Sequence, residues 1–169
     1  MKLILKIELS DKTKKEITDQ LSDLKKTYPQ FQWEPVENYN ILVHSFGEFS
    51  DKKSTISKLE TALFDKKIFY LYVLEVSLTI QNKITLNLDF RREKEIERIS
   101  ESIKEQFPMI QSSEKFVPHL TIAKYKIPSK QQYFVIKKRL ANLDIDLSFK
   151  VNKLSLLEGV KRIRVFKLL

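Results

Sequence analysis

A chain of 169 residues with 31 basic and 22 acidic side chains, a net charge of +9, is long enough for one domain with a real core. It is also basic enough to favour a polyanionic partner. The absence of cysteine excludes a disulfide framework and any thiolate metal site, and two glycines leave no room for a Gly-rich phosphate loop. No apolar run approaches the ~20 residues of a membrane helix. The alternating opening Met1–Leu9 lacks the continuous apolar stretch of a signal peptide, so a cytoplasmic protein without membrane contact is expected. The two histidines, His44 and His119, have no zinc-ligand spacing, and neither metal nor cofactor is expected.

The predicted elements repeat. Lys2–Leu9 alternates as a strand, and Ser10 is placed to cap a helix carrying Ile17, Leu21 and Leu24. A strand at Asn40–Phe46 follows, then a helix capped by Ser50 with Ile56, Leu59 and Leu63 inward, then a long strand at Ile68–Ile80. After the turn-like Gln81-Asn82-Lys83 the same order restarts. Ile84–Phe90 alternates, a helix presents Ile96, Ile99 and Ile103, and Pro118–Lys124 reads as a strand. A helix from about Ser129 to Leu140 and a strand from about Asp146 to Leu157 complete the second half. A final strand, Lys161–Leu168, is expected to pair back across Glu158-Gly159. The expectation is one α+β unit over 1–169 with pseudo-repeats at about 1–80 and 83–157 and a closing strand at 160–168. Its two lobes, each an antiparallel-rich sheet with two helices, would face each other across a cleft.

Within that frame one segment carries chemistry. Phe116-Val117-Pro118-His119-Leu120-Thr121-Ile122-Ala123-Lys124 sets an imidazole and a hydroxyl two residues apart, hence on one face of a strand, with Leu120 and Ile122 behind them. Such a pair suits a phosphate better than a core. At the matching place in the first half stands Glu37-Asn38-Tyr39-Asn40-Ile41-Leu42-Val43-His44-Ser45-Phe46-Gly47-Glu48. Together the two segments resemble the 2H phosphoesterase superfamily, in its branch of RNA 2′,3′-cyclic phosphodiesterases or 2′-5′ RNA ligase-like proteins. Members carry two His-x-Thr/Ser motifs, the first within a pattern like E-N-x-H-x-T-x-x-F-x-G-E.

The resemblance implies RNA ends or small nucleotides as partners, a monomer, and metal-free phosphoryl chemistry. One histidine acts as general base and the other as general acid, while hydroxyls hold the phosphoryl oxygens. It makes His119 and Thr121 the catalytic pair here, with Lys124 at a place where relatives often have an arginine near the phosphate. The first motif departs from the pattern: Asn40 stands for histidine and Leu42 for threonine. An amide can donate to a phosphate oxygen but moves no proton at neutral pH. Substrate contacts are therefore expected from Lys124, Asn40 and His44. By strict alternation His44 shares the face of Asn40, yet four residues along a strand is ~13 Å, too far to serve the same proton. The implied function is a 2H-type phosphoesterase-like protein with weakened turnover; the alternative is a non-catalytic RNA- or nucleotide-binding descendant.

Charge alone does not choose between a polyanion and a solvated surface. Lys14, Lys15, Lys25, Lys26, Lys52 and Lys53 fall on predicted helix faces, where solubilising charge belongs. The alternating Lys161-Arg162-Ile163-Arg164 reads as an exposed strand face able to follow an RNA backbone or to guard an edge.

Overall fold

The computed structural model describes residues 2–48, 51–109 and 116–169. Strand β1 (Leu3–Glu8) buries Leu3, Leu5 and Ile7 and turns Ile4, Lys6 and Glu8 the other way. Ser10 then caps α1 (Asp11–Gln20), its Oγ accepting the Thr13 N–H at 3.2 Å. The helix expected to run on through Leu24 breaks at Leu21 and restarts as α2 (Ser22–Thr27). A two-residue strand β2 (Gln32–Trp33) and a 3₁₀ turn at Val36–Asn38 precede β3 (Asn40–Gly47). Gly47, at φ +86°, takes the left-handed conformation that ends β3.

Helix α3 (Lys52–Leu63) is capped by Asp51, whose carboxylate accepts the Ser54 N–H at 3.1 Å. Ser50, the expected cap, lies outside the described residues. Strands β4 (Phe69–Ile80) and β5 (Ile84–Phe90) form a hairpin. Helix α4 (Lys94–Gln106) buries Ile96, Ile99 and Ile103 as its spacing predicts. Next come β6 (His119–Tyr125) and α5 (Lys130–Ala141), the latter capped by Ser129.

The single strand expected over Asp146–Leu157 is two: β7 (Ser148–Val151) and β8 (Lys153–Glu158). The reason is a change of parity. Leu147, Phe149 and Val151 are buried alternately, but Asn152 and Lys153 are both exposed, and Leu154 to Leu157 are buried without a break. Strand β7 therefore stays at the edge of one sheet, while β8 enters the middle of the other, covered on both faces. Strand β9 (Lys161–Lys167) pairs with β8 alone.

Two antiparallel sheets result, with strand orders β3-β1-β8-β9 and β2-β6-β5-β4-β7. Each draws strands from both halves of the chain. This is an α+β, two-lobed fold, with α3 and α4 packed against each other and the two sheets meeting where β3 lies against β6. That meeting is set locally. The Glu34 N–H bonds the Ile122 carbonyl at 2.9 Å, and six residues later the chain enters β3 at Asn40.

The core is close-packed, so truncation inside it is costly while truncation outside is not. Ile99→Ala, at a side chain with 0% exposure, should cost ~2–5 kcal/mol in urea unfolding. Phe64→Ala, at 83% exposure, should stay within about 0.5 kcal/mol of wild type.

Candidate active site

Strand β6 must bury apolar residues on one side and present polar ones on the other. Leu120, Ile122 and Ala123 are buried; His119 and Lys124 are exposed and Thr121 is half-buried. Plain alternation from His119 and Thr121 would put Lys124 on the core face. A bulge prevents this. Asp89 opposes His119 and Asn87 opposes Thr121, but Leu86 then opposes Ala123 and Thr85 opposes Lys124, so Ile122 is an extra residue on β6. Thr85, Asn87 and Asp89 share one face of β5, and their partners His119, Thr121 and Lys124 share it too.

These residues line one groove of about 600 Å³ floored by β4, β5 and β6. Its floor is a hydrogen-bonded row across three strands. The Thr121 hydroxyl donates to Asn87 Oδ1 at 3.0 Å, and Asn87 Nδ2 donates to Thr79 Oγ1 at 3.3 Å. Asn87 is only 5% exposed, so this buried amide is satisfied on both sides by hydroxyls. His119 Nδ1 lies 3.4 Å from the Val117 carbonyl. With its proton on that nitrogen, Nε2 is the acceptor left for a ligand. Asp89, directly across the ladder from His119, also lines the groove, so its His119 end carries a carboxylate and its Lys124 end an amine.

Asn87, Asp89 and Thr79 belong to no motif in the sequence. Their only signal is the polar face of an alternating strand, which says nothing until the register with β6 is known.

The first-motif residues lie elsewhere. Asn40 begins β3 opposite Glu8, its Nδ2 donating to the Asn38 carbonyl at 3.0 Å; Leu42 lies opposite Lys6 and is 49% exposed. Neither lines the groove over β5 and β6, although β3 adjoins β6. The face that Asn40 shares with Glu8 is tied down. Burial would push the Glu8 carboxyl up, but hydrogen bonds from Ser155 and Arg162 and the charges of Arg162 and Lys153 hold it below its usual range. Arg162 reaches Glu8 at 2.8 Å, whereas Arg164 reaches Glu60 on α3 at 2.8 Å. The two arginines thus point to opposite faces of β9, each onto a carboxylate, and do not form one basic face.

His44 corrects the alternation argument. Strand β3 carries an extra residue at Val43, because Lys6 opposes Leu42 while the next residue, Leu5, opposes His44. Lys6 and Leu5 face opposite ways, so His44 is on the opposite face from Leu42. Its ring packs on Phe46 at 4.7 Å, and Phe46 packs on Phe107 at 4.8 Å, away from the groove. Burial, reinforced by the Lys104 charge, lowers the His44 pKa from its ordinary 6.5.

That shift gives a pH dependence with a definite sign. The unfolded chain binds a proton at His44 that the folded chain resists, so stability is full above about pH 6.5. It should fall as pH drops from there to the lowered folded value. His44→Phe should flatten this limb of the stability profile between pH 7 and 5 in urea titrations, since Phe takes no proton and fits beside Phe46.

A model of the 2′-5′ RNA ligase superfamily matches residues 5–162. TT0787 of Thermus thermophilus has a similar solved structure, with a TM-score of 0.73 and 12% identity over 99% of this chain and 98% of that one. Escherichia coli LigT complexed with 3′-AMP superposes with a TM-score of 0.68 and 13% identity, covering 99% and 97%. Kluyveromyces marxianus Usb1 gives 0.65 and 11%, covering 99% and 98%. No curated protein matches the sequence directly. With nearly the whole length matched, this chain belongs to the 2′-5′ RNA ligase superfamily.

Proposed function

We propose that this member of the 2′-5′ RNA ligase superfamily is a phosphoesterase-like protein taking the 2′,3′-cyclic phosphate end of RNA, or a small cyclic nucleotide, in the groove over β4–β6. Its turnover is slowed by the loss of one of two histidines. The observation that carries this reading is the bulge-dependent convergence of His119, Thr121 and Lys124 on one face. An anion would meet the amine of Lys124 and the hydroxyl of Thr121 at once, with an imidazole beside them. LigT, whose fold this chain shares, has been solved with phosphate, with 3′-AMP and with ATP.

In hydrolysis of a cyclic phosphodiester, water attacks phosphorus, one P–O(ribose) bond breaks, a base takes the water proton and an acid protonates the leaving oxygen. His119 serves one of these roles. Thr121 and Lys124 hold the phosphoryl oxygens, work that is mostly positioning and charge stabilisation. For Thr121 to donate there, its hydroxyl must leave Asn87 Oδ1. A flip of the Asn87 amide permits this, offering Nδ2 to Thr121 and Oδ1 to Thr79. Asn40 supplies no second proton carrier, and the loss of one such partner costs ~10²–10⁴ in rate, about 3–5 kcal/mol of barrier.

The alternative, a non-catalytic nucleotide- or RNA-binding protein, is favoured by one observation: the Asn40 amide is engaged with Asn38 and Leu42 offers no polar atom. The two readings differ in what restoration does. Hydrolysis of a nucleoside 2′,3′-cyclic phosphate by wild type should be slow. Asn40→His with Leu42→Thr should raise it at least tenfold, about 1.4 kcal/mol, and adding His119→Ala should abolish the gain. Fast wild-type hydrolysis that survives His119→Ala would place the activity on other residues. No gain from restoration would leave binding as the function.

Binding itself has a separate signature. Affinity for a nucleoside 2′-phosphate should fall as salt rises and fall further in His119→Ala. Equal affinity of wild type and variant in calorimetry would remove the groove from the ligand's path.

A further inference from the structure

A second concavity lies on the opposite side of β6. Tyr125 faces Ile84 and the helix layer, whereas its neighbour Lys124 faces the groove. Between the segment after α2 and helix α5 is a slot of about 360 Å³ with walls of Tyr28, Phe31, Tyr125 and Ile136 and the amides of Gln131 and Gln132 among its lining. Its rings are stacked, Tyr28 on Phe31 at 4.9 Å and Phe31 on Tyr125 at 4.7 Å. Val135, also lining it, is 62% exposed, so the slot opens to solvent.

Cations surround it. Lys126 stands 5.9 Å over the Tyr125 ring and Arg139 5.9 Å over Tyr28, while Lys25 stands 5.7 Å over Trp33. None of the lining residues is a carboxylate. Between His119 and Leu143 the sequence carries Lys124, Lys126, Lys130, Lys137, Lys138 and Arg139 and not one Asp or Glu. A chain using lysine only for solubility would intersperse the signs, as α4 does with Glu95, Glu97, Arg98 and Lys104.

We propose that this slot takes a base of single-stranded nucleic acid, with Lys126 and Arg139 receiving the flanking phosphates and the glutamine amides meeting the base edge. Aromatic walls with a basic rim are the combination such ligands need, since every base has a face to stack and every link a charge. Stacking of a base on Tyr125 or Tyr28 is stronger than an exposed cation–π contact. An arriving base therefore displaces Lys126 or Arg139 from its ring, and the freed cation meets a phosphate. From His119 to Tyr125 is ~20 Å along the strand, beyond the reach of a mononucleotide. The slot thus distinguishes a polymer from a mononucleotide, and its occupancy does not depend on the chemistry proposed for the groove.

The test is fluorescence anisotropy with a labelled hexaadenylate RNA, alongside heparin as a polyanion without bases. Tyr125→Leu should weaken RNA binding at least fivefold and leave heparin binding unchanged. Val135→Glu, at an exposed position that folding tolerates, should weaken RNA binding by a similar factor. Both effects should persist in a His119→Ala background, which separates the slot from the groove, and hydrolysis of a cyclic mononucleotide should not change in either single variant. RNA should also quench Trp33, 6.2 Å from Phe31, and Val135→Glu should abolish the quench. The proposal is overturned if Val135→Glu binds RNA as wild type does, or if Tyr125→Leu weakens heparin as much as RNA. It is also overturned if sedimentation reveals a dimer that Val135→Glu dissociates, which would make a second copy the occupant.

Discussion

Strand β6 must do two things that a two-residue period cannot do together. It has to insert Leu120 and Ile122 into a core with 1% and 0% exposure, and it has to present His119, Thr121 and Lys124 on the other side. The spacing 119–121–124 is incompatible with unbroken alternation. One extra residue at Ile122 resolves the conflict by shifting the parity within a single strand. The polar row beneath, from Thr121 through Asn87 to Thr79, then locks the shifted register, because a slip would leave the buried Asn87 amide without its hydroxyl partners. The site's geometry is therefore held by the same bonds that satisfy the sheet.

A second bulge has the opposite consequence. In β3 the extra residue at Val43 sends His44 to the face of Leu5, against Phe46 and Phe107, and leaves Asn40 and Leu42 with Glu8 and Lys6. A histidine that strict alternation would place on the face of Asn40 and Leu42 becomes part of the packing, where burial and then the Lys104 charge disfavour its protonated form. Two strands with similar sequence frames thus use the same device, one to gather polar groups and the other to disperse them.

Most elements were legible because apolar periodicity is a strong signal where a face is fully buried: Ile96, Ile99 and Ile103 on α4, or Ile84, Leu86 and Leu88 on β5. The Ser10 cap was legible for a local chemical reason. What escaped was everything decided by partners. The two-residue strand β2 has no period to detect and exists because Gln32 and Trp33 pair with Lys124 and Ala123. The division of Asp146–Leu157 is written only in the parity change at Asn152. At the candidate site, His119, Thr121 and Lys124 came from a motif, but Asn87 and Asp89 could not, since a polar strand face is the ordinary appearance of any half-solvated sheet.

The start of β3 shows how the surroundings of Asn40 are balanced with an amide at that position. A histidine there would lie beside Glu8, the residue directly across the ladder, and a carboxylate neighbour is a natural orienting partner for an imidazole. In this chain Glu8 is bound to Arg162 and Ser155 and held ionised by them, so its charge is already satisfied without a histidine. Asn40 in turn spends its amide donor on Asn38, and Leu42 adds a half-exposed apolar surface beside Lys6. Asn40 thus sits beside an ion pair, a local hydrogen bond and a half-exposed apolar side chain. Glu8 and Arg162 neutralise one another beside Asn40, and the groove over β6, which neither Asn40 nor Leu42 lines, presents His119, Thr121 and Lys124 together with the carboxylate of Asp89.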